Sequence, residues 1–196
     1  MKPAFLLLTI FLGAQAQSVV DRIAVVVGDQ VITESEVRRE VRLTAFLNGS
    51  AVDLSAASRR AAAERLVDQQ LIRSEMQVAG YRPPTPEEGS KVLADFRRAN
   101  YPNEAAYRAV LAKYGVTEEE LKDHLLWQAA ALTFTEQRFR LLAPPSAQSA
   151  NRVANPAAQV AGADGAAPAE TEDQMDAWLK QARSGTRIQF KKGAFQ

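Results

Sequence analysis

The sequence contains no cysteine and only one histidine, His124, among its 196 residues. The lack of thiols excludes a disulfide, a cysteine nucleophile and a cysteine-ligated zinc site. One imidazole cannot supply a metal centre that needs two histidine ligands, and the Gly-x-Ser-x-Gly motif of many serine hydrolases is missing as well. The sequence therefore predicts no cofactor and no metal site.

An excess of one charge is also lacking, because 24 Lys and Arg residues stand against 23 Asp and Glu residues. Binding to nucleic acid depends mainly on clustered basic residues that neutralise phosphates. With 46% hydrophobic residues, most of the chain should fold around a core. We therefore expect a globular protein that has no nucleic acid partner.

Two short motifs suggest chemistry but fit structural roles better. Asp123-His124 contains an acid and a base, yet no positioned serine or oxyanion site accompanies the pair. Gly89-Ser90-Lys91 resembles the end of a phosphate-binding loop, but it lies inside a predicted helix and lacks the required glycine spacing. Neither motif predicts an enzyme.

The first residues have the pattern of an export signal. Met1-Lys2-Pro3 is a short basic lead, residues 4–14 form an apolar run, and Ala14-Gln15-Ala16 fits the small-x-small rule for cleavage. An uncleaved anchor would need about 20 apolar residues, which is more than this run provides. We therefore expect a signal peptide at 1–16, cleavage after Ala16, and no membrane span in the mature chain.

Segments rich in β-branched residues predict a small sheet. The run at 19–27 is followed by Gly28-Asp29 and a second short segment at 30–32, which indicates a hairpin with a glycine-first turn. Near the other end, residues 186–191 alternate polar and apolar and predict a third strand. Because two strands alone are marginally stable in water, we expect the third strand to pair with the edge of the hairpin.

Helices account for most of the remaining sequence. Four of them are introduced by a Thr-x-x-Glu/Gln capping box, which begins at Thr33, Thr85, Thr117 or Thr171. The predicted helices cover 34–48, 56–79, 86–99, 104–114, 118–142 and 172–184. The fold class is therefore mainly α: a multi-helix core with a small β-hairpin that a C-terminal helix and strand complete.

The composition changes abruptly between residues 143 and 171. Of these 29 residues, 19 are Ala, Pro, Gly or Ser, and none is aromatic. Such a segment buries too little apolar surface to offset its ordering entropy, and its prolines disfavour a continuous helix. The sequence thus predicts a flexible linker at 143–171 between a helical domain at 17–142 and a docking segment at 172–196.

The helix predicted at 118–142 carries two apolar stripes when residues are placed about 100° apart. The first stripe contains Leu121, Leu125, Leu132 and Phe139, which are predicted to face the core. The second, on nearly the opposite face, contains Trp127, Phe134 and Leu141. This pattern predicts either a central helix that is covered on both sides or a helix whose second stripe faces a groove for apolar partners. Both interpretations stay open, and the second stripe supplies the candidate substrate-binding residues.

Three segments of the chain carry a likeness to a known family. They are residues 20–37 (VDRIAVVVGDQVITESEV), residues 65–72 (RLVDQQLI) with the following Gly80, and Ala177-Trp178-Leu179 with the strand that contains Ile188 and Phe190. In this order they resemble the opening hairpin and helix, the second helix and the returning C-terminal segment of SurA-type periplasmic chaperones. The resemblance covers about 18–142 and 172–191 and implies a SurA N-terminal-like fold.

The resemblance implies an ATP-independent periplasmic chaperone that binds unfolded outer-membrane protein precursors through an apolar groove. Members of this SurA/PpiC-related family commonly insert parvulin prolyl-isomerase domains, which use paired histidines, where this chain has only the predicted linker. We therefore expect no parvulin domain and no enzymatic activity. Two alternatives stay open: a peptidyl-prolyl cis-trans isomerase-related protein by family, and an envelope adaptor that binds one defined partner.

Overall fold

A computed structural model describes residues 21–82, 84–140 and 167–196. Its elements, in chain order, are β1 (Ile23–Val27), β2 (Gln30–Thr33), α1 (Glu34–Asn48), α2 (Ala56–Val78), α3 (Pro86–Asn100), α4 (Glu104–Tyr114), α5 (Glu118–Arg140), α6 (Ala167–Gly185), β3 (Ile188–Phe190) and a 3₁₀ turn (Lys192–Phe195). This confirms a mainly α fold with a small sheet. The predicted signal peptide, Leu141 and most of the predicted linker lie outside the described residues.

The sheet has the strand order β2-β1-β3, with both neighbours antiparallel to β1. Val26 in the central strand pairs with Val31 on one side and with Gln189 on the other. Gly28 opens the two-residue turn with φ of 60°, and its N–H donates to the Arg187 carbonyl at 2.9 Å. The prediction that the C-terminal strand completes the hairpin is thereby confirmed.

Three of the four predicted capping boxes form as expected. In the first, the Thr33 N–H donates to Glu36 Oε2 at 2.7 Å while the Glu36 N–H donates to Thr33 Oγ1 at 3.3 Å. The same reciprocal pair of bonds joins Thr85 to Glu88 and Thr117 to Glu120. Each box satisfies orphan N–H groups at a helix start, which is why α1, α3 and α5 begin at the predicted positions.

The fourth predicted box is wrong, because α6 begins at Ala167 and Thr171 lies within the helix. The predicted linker therefore ends earlier than expected. Pro168 is the second residue of α6, and proline is tolerated in the first turn of a helix because the N–H there has no intrahelical partner. The proline that was expected to interrupt the helix instead lies at its start. Among the described residues, no helix combines the length and apolar character needed to cross a membrane.

The C-terminal segment packs on the N-terminal half of the chain. The first core cluster joins the sheet, α1, α2 and the 3₁₀ turn through Ala24, Val25, Val27, Ile32, Val37, Val41, Ala62, Ala63, Val67, Leu71 and Ala194. Trp178 from α6 packs against it. At the edge, Arg183 Nε donates to Asp68 Oδ1 at 2.6 Å and Arg183 Nη1 donates to Glu64 Oε2 at 2.8 Å. Apolar packing and this ion-pair network together hold α6 against α2.

The second core cluster lies among α1, α3, α4 and the start of α5. Its buried members are Leu43, Ala45, Phe46, Leu93, Tyr107, Leu111, Tyr114, Val116 and Leu121. Gly89 is buried in α3, where an added Cβ would come within 3.1 Å of Leu126 Cδ2 in α5. This glycine therefore permits the close approach of two helices, which accounts for its position without a phosphate ligand.

Candidate functional site

The candidate site lies where the end of α2 meets the second half of α5. A third core cluster joins these two helices through the buried residues Met76, Ala130 and Phe134, with Ile72, Tyr81 and Trp127 packed against it. Two of the three predicted binding residues are thus brought together. Trp127 is half-buried, and only 6% of Phe134 is exposed. The third, Leu141, lies outside the described residues.

The predicted first stripe of α5 does not hold along the whole helix. Leu121 is completely buried in the second cluster and Leu125 packs beside it, but Leu132 is 62% exposed. The prediction that Leu132 belongs to the core is therefore wrong. The reason is that α5 changes partners along its length, so that its buried face turns towards Ala130 and Phe134 once the helix reaches α2. A helical wheel cannot register this change, because it assumes one neighbour for the whole helix.

The position of Tyr81 follows from how α2 ends. Gly80 takes the left-handed conformation with φ of 65°, its N–H donates to the Gln77 carbonyl at 3.1 Å, and the Tyr81 N–H donates to the Met76 carbonyl at 2.9 Å. These two bonds form a Schellman motif, in which the residue after the glycine commonly contacts the last turn of the helix. The motif thus brings Tyr81 back towards Met76 and Phe134.

The resulting aromatic pair was not predicted from the sequence. The rings of Tyr81 and Phe134 are edge to face, with centroids 5.5 Å apart and planes at 76°. The signal that could have found Tyr81 was its place directly after Gly80, the glycine that follows the predicted helix at 56–79. An edge-to-face arrangement is favourable because the positive ring edge meets the negative ring face.

An open depression of about 750 Å³ lies over this pair. Its lining residues are Ala79, Gly80, Tyr81, Arg82, Phe134, Gln137 and Arg138. The volume falls within the range of about 300–1,000 Å³ that is usual for ligand pockets. We call this feature the α2–α5 depression. It combines an aromatic floor with polar side chains around it, so it can accept an apolar group while the rest of a ligand stays in water.

The rim of the α2–α5 depression is cationic. Arg138 Nη1 forms an ion pair with Glu75 Oε1 at 2.6 Å, and its guanidinium lies 5.9 Å from the ring centre of Trp178 in α6. Arg82 is exposed and forms no ion pair within the described part of the chain. Val78, just before the lining residues, is 82% exposed. Apolar surface and unneutralised positive charge therefore occur side by side at this end of the molecule.

The only histidine lies near a polar cluster one turn before Trp127. Glu40 is buried at 5% exposure, and Arg65 Nε donates to its Oε1 at 3.1 Å. Burial lowers the pKa of His124, the charges of Arg73 and Arg65 lower it further, and the Glu40 carboxylate opposes them. The Arg73 guanidinium also lies 4.3 Å from the Trp127 ring centre. This cluster joins the face of α5 to α1 and α2 and fits a structural role for the imidazole.

Within residues 21–82, 84–140 and 167–196, no group of three or more His, Cys, Asp or Glu side chains is placed to hold a metal ion. No family model matches the sequence, and no curated protein matches it either. The side chains of the site itself offer aromatic contact and hydrogen-bond donors.

Proposed function

We propose that this protein is an ATP-independent periplasmic chaperone that holds unfolded outer-membrane protein precursors. The observation that carries the proposal is the α2–α5 depression, in which the half-buried Tyr81 ring, packed on the buried Phe134, forms an aromatic floor beneath a polar rim. The resemblance of residues 20–37 and 65–72 to SurA-type chaperones supports the same function, and the predicted export signal supports the periplasmic location.

The geometry suits a holding function for a physical reason. An unfolded client exposes aromatic and aliphatic side chains one at a time along an extended chain, so that a holding site must be apolar and open at its sides. Binding must also remain reversible, and a polar rim limits the apolar area that each contact removes from water. The depression meets both requirements, because Gln137 and two arginines surround the aromatic floor.

The test is the aggregation of a urea-denatured outer-membrane porin on dilution, followed by light scattering without nucleotide. We expect the protein at a several-fold molar excess to suppress scattering. Tyr81→Ser should weaken suppression several-fold, because the half-buried ring forms part of the floor. Leu54→Ser is the control, since it removes an apolar side chain that is 47% exposed and lies outside the depression. Full scattering at this excess would overturn the proposal.

Two further measurements separate the alternative functions. In a protease-coupled assay with a proline peptide we expect the background rate, whereas a clear acceleration would indicate a prolyl isomerase. In a pull-down from periplasmic extract we expect many unfolded clients. One partner at fixed stoichiometry would indicate an envelope adaptor instead.

A further inference from the structure

We propose that the α2–α5 depression selects client segments in which an aromatic residue is flanked by a carboxylate. This inference rests on the proposed function and narrows its substrate class. It follows from what lies around the aromatic floor: the rim supplies two guanidinium groups, and no carboxylate is among the lining residues.

The first step concerns charge. Arg138 is paired with Glu75, so that the ion pair leaves little net charge, whereas Arg82 has no carboxylate partner in the described chain. The rim therefore carries a net charge of about one positive unit. A guanidinium presents parallel N–H donors that match the two oxygens of a carboxylate. An acidic side chain of a client would thus supply the partner that Arg82 lacks.

The second step concerns the kind of anion. A phosphate monoester carries nearly two negative charges at neutral pH, which is more than one uncommitted arginine can neutralise. The depression also lies beyond the C-terminal end of α2, and the dipole at a helix C-terminus disfavours anions. The rim therefore suits a single carboxylate of the client, held in place by a neighbouring aromatic ring on the floor, better than it suits a phosphate.

The third step concerns the distance between the two client groups. Arg82 directly follows Tyr81 in the sequence, and both residues line the same depression with Phe134. A ring that rests on the aromatic floor therefore places a neighbouring residue of an extended client near the guanidinium. The aromatic and acidic residues should be adjacent, or nearly so, in the client.

The experiment is fluorescence anisotropy with the full mature chain and short labelled peptides that differ at one position. The peptides contain Asp-Phe, Asn-Phe or Lys-Phe in one otherwise uncharged sequence. We expect Asp-Phe to bind about three- to tenfold more tightly than Asn-Phe, with Lys-Phe the weakest. The preference should diminish as salt is raised, because exposed charges are screened.

Arg82→Gln tests whether Arg82 is the cation that binds the carboxylate. The Arg82 side chain is exposed, so this substitution leaves the core unchanged. We expect this variant to bind Asp-Phe no better than Asn-Phe. Arg98→Gln, at a side chain that is 77% exposed in α3, is the control and should retain the preference.

The outcomes separate this inference from the proposed function. Equal binding of Asp-Phe and Asn-Phe to the wild type would overturn the inference and leave the chaperone proposal standing. A preference that persists in Arg82→Gln would place the cation elsewhere and would also overturn it. If none of the aromatic peptides binds, the depression is not the client site and both proposals fail there.

Discussion

The two halves of α5 belong to one helix but lie in different surroundings. In the first half, Leu121 is completely buried among the aromatic residues of the second core cluster, and Leu126 meets Gly89 of α3 at close range. In the second half, Trp127 is half-buried, Leu132 is 62% exposed and the local core has only three buried members, from α2 and α5. The first half is packed as a structural element, while the second half leaves apolar surface open.

This difference shows that apolar content alone does not distinguish a core from a binding surface. Both halves carry large apolar side chains at helical spacing, which are leucines in the first half and mainly aromatic residues in the second. What differs is the number of helices that cover them. The first half lies against α1, α3 and α4, whereas the second is met by the end of α2 and by α6.

The largest expected effect comes from replacing one leucine by alanine in each half of α5. Leu121→Ala should lower the free energy of unfolding by about 2–5 kcal/mol, because it removes a completely buried side chain from a packed cluster. Leu132→Ala should change it by less than about 0.5 kcal/mol, since most of that side chain already contacts water. Urea unfolding of both variants measures the contrast. Equal losses would show that the two halves are packed alike.

A smaller effect is expected at the glycine that positions the aromatic floor. Gly80→Ala should cost about 1–2 kcal/mol, because φ of 65° brings a Cβ too close to the following carbonyl. If the backbone relaxes, Tyr81 moves away from Phe134 and client binding should weaken as well.

Gly185→Ala is the control for this prediction. An added Cβ there meets no atom within 4 Å, and the glycine does not have a positive φ. It should leave stability and client binding nearly unchanged. A Gly80→Ala variant with wild-type stability and binding would show that the position of Tyr81 does not depend on the conformation of Gly80.

The smallest expected effect concerns His124, which lies in the first half of α5, one turn before Trp127. Its pKa is lowered in the folded protein, chiefly by burial, from the ordinary value of 6.5. The unfolded chain then binds the proton more readily, so this group contributes stability above about pH 6.5 that is lost as the pH falls towards the folded pKa.

His124→Gln should therefore lose less stability than the wild type when the pH is lowered from about 7.5 to about 5.5. Urea midpoints at the two pH values measure the difference, and the carboxylates common to both proteins cancel in the comparison. Identical losses would mean that the imidazole is equally free to ionise in the folded and unfolded chains.

Local signals in the sequence predicted the elements well. Thr33, Thr85 and Thr117 begin their helices because a capping box depends only on residues three positions apart. The pairing of Ile188–Phe190 with β1 was also predicted, because an isolated helix and strand need a partner and the hairpin had a free edge.

The candidate site was predicted only in part. Trp127 and Phe134 were identified from their spacing, but Tyr81, Arg82 and Arg138 were not. Tyr81 and Arg82 follow the end of α2 and are more than 50 positions from Phe134 and Arg138 in α5. No periodicity within one helix can indicate which other helix end will approach it.

The sequence by itself determined where helices α1 to α5 begin, that a sheet would need its C-terminal strand, and that cysteine chemistry is excluded. These properties depend on neighbouring residues or on composition, and they hold whatever the chain packs against. Only the tertiary structure decided that Leu132 is exposed, that Phe134 is buried, and that Tyr81 and Arg82 share a depression with α5. Burial depends on which surfaces meet, because the same apolar side chain is core where neighbouring elements cover it and exposed surface where they do not.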